Sequence, residues 1–232
     1  MRLDKFISNL GYASRKQVAK YIKDGYIWVN AVEIFDKDFE IEFGDIINIW
    51  EEDIEFKEFI YVILNKKSGY VSSKKPEWAH PTYLDLMTTC PYSQIIDIVW
   101  RLDFDTTWLV LLTNNWELTH KIINPKKDIF KKYYVKAKNP LSAKDIEKLT
   151  NWVKIDDFIT KPAIVEKLSE NEIYLSISEG KFHQIKKMLV AIWNEVEVLH
   201  RQSIATIDLW DLELGEWRYL SEDEVNKLTQ SL

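Results

Sequence analysis

The sequence predicts an α+β protein built from a small N-terminal domain and a larger second domain. Near the N-terminus, two short helical patterns precede strand-like runs, which is typical of a compact module. Beyond residue 58, strand-like and helical segments alternate without a regular βαβ rhythm, which favours the α+β class. The 232 residues suffice for two such domains. Acidic residues 51–58 are interpreted as the linker between them.

In the N-terminal part, apolar residues recur at helical spacing from Leu3 to Leu10, and Gly11 ends this helix. Ser14 opens a second helix and has Gln17 three residues later, the pattern of a capping box. Strands are predicted next at residues 26–30 and 46–50. In the larger part, strands are predicted at residues 59–65, 109–112, 132–135, 173–177 and 195–199. Helices are predicted at residues 118–123, 145–152 and 183–193.

The charge distribution matters more than the net charge of −6. Residues 1–34 have a net charge of +3 and residues 59–207 have +4, whereas residues 35–58 have −8 and residues 208–232 have −5. Two moderately basic segments therefore remain, and local positive faces are what contacts with nucleic-acid phosphates require. Ordinary solvated faces would give the same charges, so charge alone leaves the partner open.

Composition excludes several other classes of protein. No run of 18 apolar residues is present, so no membrane span is predicted. The N-terminus lacks the apolar core of a signal peptide, and we expect a cytoplasmic protein. The single cysteine, Cys90, excludes an internal disulfide, and with four scattered histidines it argues against a structural zinc site. No metal is expected.

Three segments contain the residue types that chemistry on a nucleotide needs. Residues 101–107 place Asp103 and Asp105 around one aromatic residue just before a buried strand. Residues 131–135 form a basic, aromatic strand, and residues 179–188 form a basic helix start after a glycine turn. A carboxylate, a tyrosine and a lysine would form a suitable set for handling a flipped base, although spacing alone does not establish a site.

About the first 50 residues resemble the S4 RNA-binding domain. The resemblance rests on residues 2–6 (RLDKF), 13–16 (ASRK) and 25–30 (GYIWVN). It implies an S4 domain over residues 1–56 in which Arg15, Lys16 and Lys20 contact RNA phosphates. Without the resemblance, the same cations would be read as the solvated start of a helix.

The remainder resembles the RsuA family of pseudouridine synthases. The motifs, in family order, are Asn65-Lys66, residues 69–73 (GYVSS), 101–103 (RLD), 131–133 (KKY), 161–163 (KPA), 179–188 (EGKFHQIKKM), 199–201 (LHR) and 215–218 (GEWR). The resemblance implies a catalytic domain over residues 57–232, with a mixed, largely antiparallel sheet and flanking helices. Residues 105–107 and 177–180 make it most similar to the small-subunit branch, which implies uridine 516 of 16S rRNA as the target.

The resemblance also implies roles for particular side chains. Asp103 would act on the ribose of a flipped-out uridine, as a nucleophile at C1′ or as a base at C2′, and the sequence leaves both routes open. Tyr133 would stack on the uracil. Lys186 would pair with Asp103 and keep it ionised, since a nearby opposite charge lowers a carboxylate pKa. Asp105 is taken as structural.

The remaining implied contacts are with RNA. Arg101 would position the flipped nucleotide and its phosphate, and His183, Gln184 and Lys187 would contact RNA at the helix start. An isomerisation needs no cofactor, and a monomer is expected. The partner would be ribosomal RNA or the assembling small subunit. Two alternatives stay open: a uridine of the large-subunit (23S) rRNA as target, or an inactive core that only binds RNA.

Tryptophan and glycine usage departs from the family pattern, because the chain has ten tryptophans and only six glycines. Tryptophan stands where the family has glycine at positions 100, 108, 116, 193 and 210. Trp152 follows a predicted helix at the position where glycine is usual, and Trp50 and Trp78 are further candidates. We expect these positions to need positive φ, at about 1–2 kcal/mol each for a bulky residue. The hypothesis is that a codon read as glycine in the source, such as a reassigned UGA, was written as tryptophan. Under the alternative, genuine drift to tryptophan, Trp100 and Trp108 could obstruct the pocket. Trp28 is uncertain, and Trp217 fits the family as tryptophan.

Overall fold

The computed structural model describes residues 1–232, which form two compact units. One unit comprises residues 1–60 and 87–97, and the other comprises residues 61–86 and 98–232. The expected domain boundary after residue 56 stays a prediction. No helix in the structure combines the length and apolar character that crossing a bilayer requires.

In the N-terminal unit, two helices precede a four-stranded antiparallel sheet. The helices are α1 (Leu3–Asn9) and α2 (Arg15–Lys23), and the strands are β1 (Ile27–Val29), β2 (Val32–Glu33), β3 (Ile46–Ile49) and β4 (Glu52–Glu55). The sheet order is β2-β1-β3-β4. The expected capping box is present, since the Ser14 side chain accepts from the Gln17 amide and the Gln17 side chain accepts from the Ser14 amide.

The prediction that residues 51–58 form a linker is wrong, because residues 52–55 are strand β4, paired with β3. Trp50 and Glu51 both have positive φ, 48° and 75°, and join the two strands in a tight hairpin. Acidic residues of β4 face solvent, while Ile54 is buried. The strand was missed because its charged face dominates the composition of the segment.

The larger unit is an α+β structure around one large sheet, which confirms the expected fold class. Its strands are β5 (Tyr61–Lys66), β6 (Asp97–Ile98), β7 (Thr107–Thr113), β8 (Lys131–Ala137), β9 (Lys154–Ile155), β10 (Phe158–Ile159), β11 (Ile164–Lys167), β12 (Glu172–Ile177), β13 (Val196–Ile204), β14 (Ile207–Asp208) and β15 (Trp217–Tyr219). Its helices are α3 (Trp116–Ile123), α4 (Ala143–Asn151), α5 (Gln184–Ala191) and α6 (Glu222–Gln230), with a 3-10 turn at Tyr83–Leu86. Every predicted element of this part is present, with shifted ends.

The main sheet has the order β11-β12-β8-β13-β7-β5-β15. All pairs along this path are antiparallel except β13 with β7, so the sheet is mixed. Strand β13 lies at the centre, between β8 and β7. Through β13, the first residues of β7, Thr107 and Trp108, lie level with Tyr134 and Tyr133 in the middle of β8. The loop that leads into β7 therefore starts out next to Tyr133.

The backbone at the tryptophans only partly matches the expectation of positive φ. Positive φ occurs at Trp108 (80°), Trp193 (62°) and Trp210 (52°), as it does at the candidates Trp50 and Trp78. The expectation is wrong at three other positions. Trp116 is the first residue of α3 and follows the N-cap Asn115, Trp152 has an extended backbone with φ of −169°, and Trp100 is not among the positive-φ residues.

Candidate active site

A cavity of about 620 Å³ opens in the larger unit, within the size range of small-molecule sites. Three segments line most of it: the loop before β7, the start of β8 and the start of α5. These are the three segments in which the sequence predicts chemistry. The lining residues that bear on chemistry are Arg101, Asp103, Tyr133, Lys181, His183 and Lys186.

Asp103 lies at the wall of this cavity, with its side chain 28% exposed. The Nζ atom of Lys186 is 3.5 Å from Oδ2 of Asp103, and the Nε2 atom of His183 is 3.8 Å from Oδ1. The carboxylate therefore sits between two nitrogen groups on the first turn of α5, and it remains open to the cavity. A reactive oxygen needs this combination of fixed position and access.

Lys186 is shared between two carboxylates, which the sequence did not predict. Its ammonium donates to Oδ1 of Asp105 at 2.6 Å, a shorter contact than the 3.5 Å to Asp103. The Asp105 side chain is 61% exposed and does not line the cavity. The hydrogen bond of Lys186 is therefore with Asp105, at an exposed position where solvent screens the contact, and Asp103 is the second carboxylate within ion-pair distance.

Tyr133 is 7% exposed and occupies the third position of β8, directly opposite Arg201 on β13. The ring lines the cavity together with Asp103. The carboxylate, lysine and tyrosine named from the sequence are thus brought together at one cavity.

The expected RNA contacts at the start of α5 differ in availability. His183 is the N-cap residue, has a left-handed backbone (φ 54°) and stacks on Phe182 at 3.8 Å between ring centroids. Gln184 is only 4% exposed; its amide accepts from the Lys181 backbone at 2.9 Å and donates to Glu179 at 3.1 Å. The Gln184 side chain is therefore engaged within the protein, where it shapes the turn before α5.

Two further cations expected to contact RNA form exposed ion pairs. Arg101 donates to Oε1 of Glu77 at 3.1 Å, and its side chain is 65% exposed at the cavity. Lys187 pairs with Asp156 at 2.6 Å and does not line the cavity. Exposed pairs of this kind are weak, so RNA phosphates can displace the carboxylates.

Sequence reasoning missed Lys66, the last residue of β5, as part of the site. Lys66 is fully buried, and its three N–H groups are shared among four carbonyl oxygens, those of Lys67, Asp103, Phe104 and Thr106, which lie 2.8–3.2 Å from Nζ. Burial lowers the pKa of Lys66 to about 8. The buried ammonium therefore fixes the backbone of the loop that bears Asp103. A lysine at the end of a mostly apolar predicted strand was the sequence feature that could have indicated a buried cation here.

In the N-terminal unit, the three cations expected to bind phosphates are exposed on α2. Arg15 also donates to the buried Asp4 at 2.8 Å. Burial would raise the pKa of Asp4, but the hydrogen bonds from Arg15 and Arg2 outweigh it and lower the pKa. Arg15 thus supports the fold of this unit, whereas Lys16 and Lys20 are free of such a role.

A carboxylate, a lysine and a tyrosine at one cavity, in a chain with a basic two-helix N-terminal module, define the class of an RNA-modifying enzyme. The RNA pseudouridylate synthase family model matches residues 60–191, and the S4 domain model matches residues 1–47. The chain belongs to the RsuA-type branch of the pseudouridylate synthase family, whose members are isomerases, and the resemblance stated from the sequence is confirmed.

Individual relatives match over nearly the whole chain. The ribosomal small subunit pseudouridine synthase A of Vibrio vulnificus (strain CMCP6) is 34% identical, with 98% of this chain and 99% of the relative covered. An RNA pseudouridine synthase of Bacillus subtilis (strain 168) is 36% identical, with 99% of both chains covered. A crystal structure of a pseudouridylate synthase is 33% identical and superimposes with a TM-score of 0.69, covering 98% of this chain and 99% of that one.

Proposed function

We propose that this chain isomerises one uridine of small-subunit ribosomal RNA, uridine 516 of 16S rRNA, to pseudouridine through the carboxylate of Asp103. The observation that carries the proposal is the setting of Asp103: its carboxylate borders a cavity with Tyr133 and has Lys186 3.5 Å away. The relative from Vibrio vulnificus is named as a small-subunit enzyme, which supports that choice of subunit.

The reaction breaks the bond between N1 of uracil and C1′ of ribose, rotates the base and joins C5 to C1′. No atoms enter or leave overall, because the hydrogen lost from C5 is balanced by the one gained at N1. The base must leave the helical stack to rotate, so the enzyme acts on a flipped nucleotide. Asp103 acts as the nucleophile at C1′ or as the base at C2′.

The groups around Asp103 have complementary roles in this proposal. Lys186 places a positive charge 3.5 Å from the Asp103 carboxylate and holds the carboxylate at the cavity. Tyr133 stacks on the flipped uracil, since a tyrosine ring offers a flat apolar face and a polar edge. Arg101 binds the phosphate of the flipped nucleotide after exchanging its contact with Glu77. None of these steps requires a metal or a cofactor.

The N-terminal unit supplies affinity in the proposal, through Arg15, Lys16 and Lys20 on α2. Cations on a helix face bind the RNA backbone irrespective of sequence and make the binding dependent on salt. His183 and Lys187 add contacts at the start of α5. We propose a monomer acting in the cytoplasm on ribosomal RNA or on the assembling small subunit.

Pseudouridine mapping on isolated small-subunit and large-subunit rRNA tests the function. The parent protein should introduce one pseudouridine, at uridine 516 of the small-subunit RNA, and Asp103→Asn should introduce none while still binding that RNA. A product only in the large-subunit RNA would refute the proposed target. RNA binding without any product from the parent would refute the proposed activity.

A further inference from the structure

Arg201 is a fully buried cation whose role the proposed reaction does not yet explain. It lies on β13, the central strand, between β7 and β8, and it is 0% exposed. Taking a guanidinium out of water costs several kcal/mol unless its hydrogen bonds are satisfied. The contacts of this guanidinium indicate why a charge is kept at the centre of the sheet.

The guanidinium binds backbone on both sides of the loop that bears Asp103. Its Nε donates to the carbonyl of Leu109 at 2.8 Å and its Nη2 donates to the carbonyl of Trp100 at 2.8 Å. Nη1 lies 3.5 Å from the carbonyl of Arg101. The loop thus has its two ends tied to one rigid, planar group.

Tyr133 is the direct cross-strand neighbour of Arg201 in the pairing of β13 with β8. Directly opposed residues of two antiparallel strands have their side chains on the same face of the sheet. The Tyr133 side chain also lines the cavity that holds Asp103. The group that anchors the carboxylate loop therefore lies on the strand next to the tyrosine of the site.

We propose that Arg201 is a positioning residue for the isomerisation, which fixes the Asp103 loop at the cavity beside Tyr133. This inference rests on the proposed function. The planar fork of arginine can donate to the carbonyls of Leu109 and Trp100 at once, whereas the single ammonium of lysine cannot match that geometry.

Steady-state kinetics test the inference, with transcribed small-subunit rRNA as substrate and release of hydrogen from C5 as the readout. Arg201→Lys should lower kcat about 10- to 100-fold and change KM less than threefold, because RNA-binding surfaces are untouched. The matched control is Arg218→Lys, which should change kcat less than threefold, because the Arg218 guanidinium pairs with Glu224 and does not contact the loop.

A kcat of Arg201→Lys within threefold of the parent, or an equal loss of kcat in Arg218→Lys, would overturn the positioning role. An inactive parent protein would instead contradict the proposed function, so the two failures are distinguishable. Should Arg201→Lys fail to fold, nuclear magnetic resonance of the arginine guanidinium groups in the parent provides the second measurement. The Nε hydrogen of Arg201, which is bonded to the Leu109 carbonyl, should exchange with solvent at least about tenfold more slowly than that of Arg101, whose side chain is 65% exposed. Equal exchange rates would overturn the proposal.

A second inference rests on an independent observation, the backbone at five tryptophans. Five of the six glycines have positive φ, and so do five of the ten tryptophans, at positions 50, 78, 108, 193 and 210. Positive φ is strained for a bulky side chain and free of strain for glycine. Four of these indoles are also 48–93% exposed, so packing offers little compensation.

We infer that these five positions are glycine in the protein as its source translates it, through a codon that the source reads as glycine and that was written here as tryptophan. Mass spectrometry of the protein isolated from its source should find glycine at all five positions. Trp217, which has a strand backbone, should be tryptophan and is the control. Tryptophan at position 193, or UGG codons at these positions in the gene, would overturn the inference.

Discussion

Replacing Trp193 by glycine should stabilise the protein, although it removes the largest side chain. Trp193 follows α5 in a Schellman arrangement: its amide donates to the Val190 carbonyl at 2.9 Å, and the Asn194 amide donates to the Leu189 carbonyl at 2.9 Å. The φ of 62° at Trp193 costs a non-glycine residue about 1–2 kcal/mol. Its side chain is 93% exposed, so little burial is lost. Glycine also gives the unfolded chain more conformational entropy, which offsets about 0.5–1 kcal/mol of the relieved strain. The free energy of unfolding of Trp193→Gly should therefore rise by roughly 0.5–1 kcal/mol.

The matched control is Trp116→Gly, which removes another largely exposed indole, but from a helical backbone position. Trp116 is 70% exposed and is the first residue of α3. Glycine at position 116 should lower the free energy of unfolding by about 0.5–1 kcal/mol, because glycine in a helix loses more conformational entropy on folding than other residues do. Thermal and denaturant unfolding would measure both variants, and the melting temperatures should move in opposite directions by about 2–4 °C per kcal/mol. Equal destabilisation by the two substitutions would refute the strain argument.

Two other predictions concern stability at low pH and binding to RNA. Hydrogen bonding from Arg218 lowers the pKa of Glu224 to about 2, so this pair stabilises the fold above the usual pKa near 4.5 and loses that contribution as the pH falls towards 2. Glu224→Gln should therefore cost about 1–3 kcal/mol in denaturant titrations at pH 7 and almost nothing at pH 2; equal costs at both would contradict the assignment. The logarithm of the RNA-binding constant falls linearly with the logarithm of the salt concentration. Lys16→Gln and Lys20→Gln should each reduce the slope of that line by about 0.7–0.9 without changing the unfolding midpoint. An unchanged slope would show that the substituted lysine does not contact RNA. Arg15→Gln should weaken RNA binding and also lower the midpoint, because Arg15 supports the N-terminal unit; an unchanged midpoint would contradict that structural role.

Local patterns in the sequence were sufficient for the helices and most strands. The capping box at Ser14 and the apolar spacing of α1 depend on neighbours a few residues away, which the sequence displays directly. Strand β4 was missed because its burial is provided by one residue, Ile54, in a run of charges. Residues 87–97 return to the N-terminal unit after residues 61–86 have left it, and no local sequence pattern indicates such a return.

At the site, motif order named Asp103, Tyr133 and Lys186, and the fold brings the three to one cavity. The sharing of Lys186 with Asp105 was not predictable, because ion pairs between segments 81 residues apart depend on the packing of α5 against the loop. The burial of Arg201 was equally hidden, since a basic residue in a strand is expected at the surface unless its partners are known.

The most direct test of the account compares Asp103→Asn with Asp105→Asn in single-turnover conversion of small-subunit rRNA. Both substitutions remove one charge beside Lys186, but only Asp103 lines the cavity. The account predicts that Asp103→Asn lowers the conversion rate more than about 10³-fold and that Asp105→Asn lowers it less than about tenfold. Near-parental conversion by Asp103→Asn would contradict the account, whatever the rate of the Asp105 variant.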